Sequence, residues 1–221
     1  MDTVVTLTAP TSRAAEAYRM LRINLEFASL DRPLKSLLMT SAGPEEGKSL
    51  PLANLAVAMA DGDRKVIIVD TDLRRPMLHE LFGLKSEVGF SDMFRDQEAF
   101  DHPPLQTVAG TGLRLLSSGP LPPIPSQLLA SRKMNEVIAR LGQECDLVLF
   151  DAPPVVAVTD ASLLASKVDG VLLVVKAGTT RREHVSEAKD RLEKVNAWLV
   201  GAVLVNAPYD ASLSLYYSDA N

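Results

Sequence analysis

Residues 34–60 read L-K-S-L-L-M-T-S-A-G-P-E-E-G-K-S-L-P-L-A-N-L-A-V-A-M-A. Leu34–Thr40 is a largely apolar run, as a strand covered on both faces requires. Leu50–Ala60 reads as a helix. Between them, Ala42–Ser49 fits the spacing A/G-x-x-x-x-G-K-S/T. A strand, a loop and a helix N-terminus in this order turn backbone N–H groups toward a bound anion. In such a loop the lysine reaches the β- and γ-phosphates of a triphosphate and the hydroxyl residue ligates Mg²⁺. Those positions are Lys48 and Ser49, and Gly43, Pro44, Glu45, Glu46, Gly47 and Leu50 complete the expected phosphate-facing stretch. Glu45 and Glu46 place two carboxylates beside a site for a polyanion, each charge pair costing roughly 0.5 kcal/mol at about 8 Å in water. Pro51 falls in the first helical turn, where its missing N–H removes no intrahelical bond.

Outward from this loop the same rhythm repeats. Lys65–Asp70, Asp146–Phe150, Gly170–Lys176 and Trp198–Val205 read as strands, with Leu113–Leu116 as one more. Helical stretches cover 126–141, 160–166 and 181–195, Ser126 serving as an N-cap after the proline-rich Gly119–Pro125. Thr11–Leu30 reads as an N-terminal helix ended by Pro33, with Ala14, Tyr18, Leu21, Leu25 and Ala28 as its apolar stripe. The βαβ alternation predicts an α/β fold: a doubly wound, mostly parallel sheet. At 221 residues, this is one domain over residues 1–206, followed by a tail at 207–221 without a sustained apolar period.

Composition removes several function classes. One cysteine, Cys145, excludes an internal disulfide framework and a Cys-rich zinc site. A net charge of −5 argues against a general nucleic-acid binder. No apolar stretch approaches the 20 or so residues of a spanning helix, and the first ten residues lack the plan of a signal peptide. The chain reads as cytoplasmic, so work at a membrane would need a partner or a further segment.

Two strand ends add chemistry to the loop. V-I-I-V runs into D-T-D-L-R-R, giving Asp70, Asp72, Arg74 and Arg75; L-V-L-F runs into D-A-P-P, giving Asp151. In an open parallel sheet the carboxyl ends of the strands line the ligand crevice, so these carboxylates are expected to meet Lys48 and Mg²⁺ there. One aspartate at a strand end is ordinary turn chemistry; three in one crevice with a phosphate-loop lysine point to nucleotide chemistry.

Taken in order, P-E-E-G-K-S, I-I-V-D-T-D-L-R and L-V-L-F-D-A-P-P resemble the nucleotide motifs of the bacterial tyrosine kinases, P-loop enzymes that accompany capsule and exopolysaccharide synthesis. Further matches are E-A-Y-R-M-L-R-I-N-L (Glu16–Leu25), G-P-L-P-P-I-P-S-Q-L-L (Gly119–Leu129), V-T-D-A (Val158–Ala161), V-D-G-V-L-L-V-V (Val168–Val175) and V-L-V-N (Val203–Asn206). Family loops usually read P-G-E-G-K-S-T, so Glu45 stands for a glycine and Leu50 for a threonine; Ala152 stands where Ser or Thr is common. The resemblance implies the partitioning-ATPase-like P-loop fold and ATP-dependent tyrosine autophosphorylation. Lys48, Asp70 and Asp72 would be catalytic, with Asp70 taking the tyrosine proton. Ser49, Asp72 and Asp151 would hold Mg²⁺, and Asn206 would contact adenine. It also implies a ring-like homo-oligomer joined through Glu16, Arg19 and Arg22, which alone would read as a solvated charge ladder. A membrane polysaccharide co-polymerase or adaptor would bring the chain to the inner face of the plasma membrane, and a tyrosine phosphatase would reverse its action.

Three of the four tyrosines, Tyr209, Tyr216 and Tyr217, fall in the last 13 residues. A tail bearing tyrosines suits a phosphoacceptor, since it can be delivered to a neighbour's site. Two other readings share these motifs. A nucleotide-switch ATPase of the partitioning and septum-site type usually carries an additional lysine early in the loop, and none precedes Gly47 within this one. A non-catalytic scaffold of the kinase family would have lost turnover through Glu45 and Leu50.

Overall fold

The computed structural model describes residues 3–61 and 64–207. Helices α1 (Val5–Thr8) and α2 (Arg13–Ala28) precede β1 (Ser36–Ser41) and α3 (Ser49–Met59). Then β2 (Val66–Asp70) leads to α4 (Leu78–Leu81), a 3₁₀ turn at Phe90–Phe94, α5 (Gln97–Asp101), β3 (Gln106–Thr107) and β4 (Leu113–Leu116). Helices α6 (Pro125–Ala130) and α7 (Arg132–Gly142) lead to β5 (Leu147–Asp151), followed by α8 (Asp160–Ala165), β6 (Gly170–Lys176), α9 (Arg182–Lys194) and β7 (Leu199–Val205).

These strands form one sheet in the order β3-β4-β2-β5-β1-β6-β7. Every neighbouring pair is parallel except β3 and β4. The central strands alternate between two cores. Leu38, Ile67, Val69, Val148, Phe150 and Leu173 face a core with residues of α6–α9. Leu37, Met39, Val66, Ile68, Leu149 and Leu172 face one with α2–α4. Both faces are covered, which is why β1, β2 and β5 carry unbroken apolar runs. The doubly wound expectation from the sequence is therefore met.

The register assembles the site. Met39 of β1 lies opposite Asp151 of β5, and Asp70 of β2 lies opposite the same Asp151. Three adjacent strands thus deliver the loop at residues 42–48 and two aspartates to one edge. The chain after β5 is tied to β1 as Thr40 Oγ1 donates to the Pro153 carbonyl at 2.7 Å and Val155 N–H donates to the Ser41 carbonyl.

Several local expectations need correction. The stretch 126–141 is two helices, because Ser131 is extended (φ −62°, ψ 158°) and its hydroxyl donates to the Leu128 carbonyl at 2.7 Å. Serine competes for backbone groups in this way. The break also re-phases the chain: five residues of unbroken helix would set Leu129 and Met134 about 140° apart, yet both are fully buried. Ser126 is not the N-cap. Pro125 takes the first helical position and Ile124 precedes it, in keeping with the preference of proline, which has no N–H to leave unsatisfied, for that place.

The N-terminal helix is shorter than Thr11–Leu30. It starts after Ser12, whose hydroxyl accepts from Ala15 N–H at 3.2 Å, and ends at Ala28. Ala14 and Ala28 are exposed, and Ala15 and Leu25 carry the burial. Arg22 keeps its ladder partner Glu26 at 3.9 Å, but it is not merely solvated. Its Nη1 donates at 3.0 Å to the carbonyl of Ala58, in the last turn of α3, where carbonyls lack intrahelical partners. Arg19 bonds the Glu16 carboxylate and the Pro10 carbonyl. The tail expected from 207 lies outside the described residues from 208 onward, and so do Tyr209, Tyr216 and Tyr217.

Because Arg22 caps α3 within its own chain, Arg22→Ala lowers the unfolding free energy by about 1 kcal/mol, whereas Glu16→Ala stays within about 0.5 kcal/mol. Urea titration of both variants checks the contrast; equal midpoints would mean that the Ala58 carbonyl is as well served by water.

Candidate active site

The loop between β1 and α3 is shaped by two left-handed residues, Glu45 (φ 60°) and Gly47 (φ 69°). Glycine adopts this conformation freely, whereas a residue with a Cβ pays about 1 kcal/mol for it. Position 45 therefore has a backbone that favours the glycine common in similar loops. The neighbouring acid does something else. Glu46 is buried, accepting from Ala42 N–H at 3.1 Å and from the Thr180 hydroxyl at 2.8 Å. Thr180 in turn accepts from Lys176 N–H at 2.8 Å. The expectation of two carboxylates opposing a polyanion is thus corrected: both oxygens of Glu46 are occupied in clasping the loop to the turn after β6, and Glu45 alone is exposed.

Lys48 closes the loop, and α3 starts at Ser49. Its ammonium lies 2.8 Å from Asp72 Oδ2, 3.4 Å from Asp151 Oδ1 and 3.3 Å from Ser49 Oγ. Ser49 donates its hydroxyl proton to Asp151 Oδ2. Four side chains from three elements of the sequence thus meet at one point, as the strand ends predict. Thr71, which sequence reading passed over, holds β2 to β5 by donating its N–H to the Asp151 carbonyl at 3.0 Å. Asp72 Oδ1 accepts from the N–H groups of Arg74 (3.3 Å) and Arg75 (3.1 Å), which fixes the turn after β2.

Asp70 lies deeper. Its Oδ2 accepts from Met77 N–H at 3.0 Å and Leu78 N–H at 2.9 Å, while Oδ1 has no hydrogen-bond partner. Burial, followed by the Asp151 charge, pushes its carboxyl up to about 8. Burial also raises Asp151. For Lys48, burial is the largest single influence and pulls its pKa down, but the charges of Asp151 and Asp72 outweigh it and the net shift is upward. Lys48 is consequently a firm cation among acids.

A cavity of ≈ 500 Å³ opens over this cluster. Pro44, Glu45, Lys48, Ser49, Asp72 and Arg75 line it, with Pro153 and Pro154 opposite. A larger hollow of ≈ 640 Å³ between α1, α2 and the end of α3 has no such convergence of acids on a lysine. Arg74 is committed elsewhere, forming a two-pronged pair at 2.8 and 3.1 Å with the fully buried Asp160. Gly43 is buried beneath the loop, its carbonyl accepting from the Ser41 hydroxyl at 2.8 Å. Leu50 packs against the core of α3. Asn206 is exposed, one residue past β7 with φ 55°, and is not among the residues lining the cavity.

The donor set fits a magnesium nucleotide. Mg²⁺ takes a few hard oxygens plus waters, and Ser49 Oγ, Asp72 and Asp151 supply them around a spot where the protein's own ammonium now sits between two carboxylates. Asp151 Oδ1, which faces Lys48 at 3.4 Å but makes no hydrogen bond, is one such oxygen. Glu46–Thr180 and Arg74–Asp160 had no signal in local spacing, since each joins residues far apart in the chain.

No protein-family model matches the chain. It is 40% identical over 201 residues to the tyrosine-protein kinase YwqD of Bacillus subtilis, spanning 91% of this chain and 84% of that protein. The chimerical protein CapA2B2 superposes with a TM-score of 0.87 at 33% identity, over 95% of this chain and 92% of that one. The kinase domain of the Escherichia coli tyrosine kinase ETK gives 0.88 at 33%, over 94% and 81%. The cell-division ATPase MinD of Pyrococcus furiosus shares the fold more distantly, with a TM-score of 0.64 and 26% identity over 77% of this chain and 72% of that one. The switch-ATPase alternative thus accounts for the architecture, and the tyrosine kinases account for the sequence as well.

Two substitutions test this electrostatic picture. Asp70 is protonated in the fold up to about pH 8 but ionises near 3.8 when exposed. The unfolded chain therefore binds fewer protons between these values, and stability falls as pH rises through them. Asp70→Asn carries no such term. With no divalent cation added, its melting temperature should match that of the parent near pH 4 and exceed it by several degrees at pH 8; a lower value at pH 8 would show that the bonds to Met77 and Leu78 need a carboxylate. Glu45→Gly relieves the left-handed backbone and removes the carboxylate facing the cavity. Calorimetric titration should show ATP binding tightened by about 0.5–1 kcal/mol from the charge alone, together with a higher melting temperature.

Proposed function

The chain belongs to the bacterial protein-tyrosine kinases, and from that premise we propose that it transfers the γ-phosphoryl group of ATP to tyrosines of its own tail, Tyr209, Tyr216 and Tyr217. The observation that carries this reading is the meeting of Lys48, Ser49, Asp72 and Asp151 beneath a cavity with the phosphate loop as its floor. Tyr18, the remaining tyrosine, is half-buried on α2, and burial raises its phenol above the ordinary value, making it a poor acceptor.

Phosphoryl transfer asks a protein mainly for position and charge. Lys48, released from Asp72 and Asp151, reaches the β- and γ-phosphates. The N–H groups of Gly43 and of residues 45–49 surround the phosphate chain at the start of α3. Ser49, Asp72 and Asp151 would hold Mg²⁺. When bound, the ion offsets charge on the triphosphate and orients it. Once ionised, a form that the charge of Lys48 favours, Asp70 receives the phenolic proton at Oδ1, its oxygen without a hydrogen bond. A phenol titrates near 10, so a carboxylate held at about 8 accepts its proton with less uphill cost than one near 4. Asn206, one residue past β7, would be the adenine contact that the family implies.

Assembly follows from the same premise. Glu16, Arg19 and Arg22 on α2 join subunits into a closed ring, in which each tail is delivered to a neighbour. Apolar side chains exposed on this helix, Met20, Ile23 and Phe27, add to that surface. No helix among the described residues is long and apolar enough to cross a membrane. On this reading a polysaccharide co-polymerase or adaptor, or a further membrane segment, brings the chain to the inner face of the plasma membrane. A cognate phosphatase resets it, and the cycle regulates polymerisation and export of exopolysaccharide or capsule.

Incubation with γ-labelled ATP and Mg²⁺, followed by mass spectrometry, should place phosphate on the tail tyrosines. Lys48→Met removes the phosphate-facing cation and should abolish that label while circular dichroism stays that of the parent. Undiminished phosphotyrosine in this variant would refute the assigned role of the loop.

A further inference from the structure

The cations around the cavity are not equally free. Lys48 is held by Asp72 and Asp151 and, on the reading above, passes to the triphosphate. Arg74 is spent on the buried Asp160. Arg75 lines the same cavity, is exposed, and its side chain makes no hydrogen bond or ion pair among the described residues. Its backbone is nevertheless fixed, because its N–H donates to Asp72 Oδ1 at 3.1 Å. A free guanidinium is thus anchored at the lip of the reaction centre.

An approaching acceptor segment faces a problem of charge. The site holds Asp70, Asp72 and Asp151, with Glu45 at its mouth, and the triphosphate adds more negative charge. The stretch 207–221, A-P-Y-D-A-S-L-S-L-Y-Y-S-D-A-N, contains two acids, Asp210 and Asp219, and no Lys, Arg or His. Asp210 directly follows Tyr209, and Asp219 stands two residues after Tyr217. Such a segment is repelled unless a cation receives it, and Arg75 is the cavity cation with no other duty.

We propose that Arg75 selects the acceptor: it pairs with the carboxylate just C-terminal to the tyrosine, so the preferred substrate is a tyrosine followed within two residues by an acid. Guanidinium suits this role because its planar fork grips a carboxylate with two parallel hydrogen bonds. The inference rests on the tail-kinase reading and names the substrate class for it.

Six full-length chains decide it: the parent, Arg75→Ala, the pair Asp210→Asn with Asp219→Asn, those three changes together, Arg75→Glu, and Arg75→Glu with Asp210→Lys and Asp219→Lys. Initial rates of Tyr209 and Tyr217 phosphorylation are read by mass spectrometry, and ATP affinity is read by titration. Arg75→Ala and the acid pair should each slow labelling by ~5- to 10-fold, the combination no further, because the two changes break one interaction. Arg75→Glu combined with Asp210→Lys and Asp219→Lys should recover rate relative to Arg75→Glu alone. ATP affinity should stay within twofold of the parent in Arg75→Ala. Additive losses, or no recovery on charge reversal, would overturn the proposal. A matching fall in ATP affinity would do so too, reassigning Arg75 to the triphosphate. If the parent itself gains no phosphate on these tyrosines, the tail reading fails first and the selection rule goes with it.

Discussion

One lysine standing among three buried aspartates is the constraint on which the rest of the structure depends. Asp70 and Asp151 are adjacent across β2 and β5, and Asp72 follows two residues after Asp70. Gathering like charges at 0–4% exposure is costly. The fold meets that cost with Lys48, with the backbone N–H groups of Met77 and Leu78 on Asp70, and with the Ser49 hydroxyl on Asp151. Even so, the Asp70 carboxyl stays protonated to about pH 8. The site stores electrostatic tension of the kind that a divalent cation is suited to relieve.

The loop beside it is held by an unrelated device. Glu46 reaches inward to Ala42 and Thr180, so the loop is fastened both to its own strand and to the turn after β6. Backbone donors aimed at a phosphate are useful only if they do not relax away from it. The clasp supplies this rigidity without placing a charge on the open face. The two consecutive glutamates thus point to different places, Glu46 inward and Glu45 out to the open side of the loop.

Much of this was legible in order along the chain. The phosphate-loop spacing, the D-T-D and D-A-P-P strand ends and the βαβ rhythm each follow from short-range chemistry, and the sheet brings Lys48, Ser49, Asp72 and Asp151 together as expected. What could not be read locally were contacts over long separations. Arg74 with Asp160, Glu46 with Thr180 and Arg22 with Ala58 each need the packed fold to exist first. The split of 126–141 at Ser131 belongs here too, because helical periodicity persists on both sides of the break and only the demand that Leu129 and Met134 both enter the core requires it.

By itself, then, the sequence determined the architecture and the inventory of the site, since unbroken apolar strands and a glycine-lysine-serine loop leave few other ways to bury the one and set the other at the strand ends. Tertiary structure alone decided how each polar side chain is spent. Whether Glu46 opposes a ligand or braces a loop, whether Arg22 faces solvent or caps a helix, and which of Arg74 and Arg75 stays free depend on the partner within about 3 Å. That partner comes from a distant part of the chain, brought near by burial of apolar strands that carry no information about it.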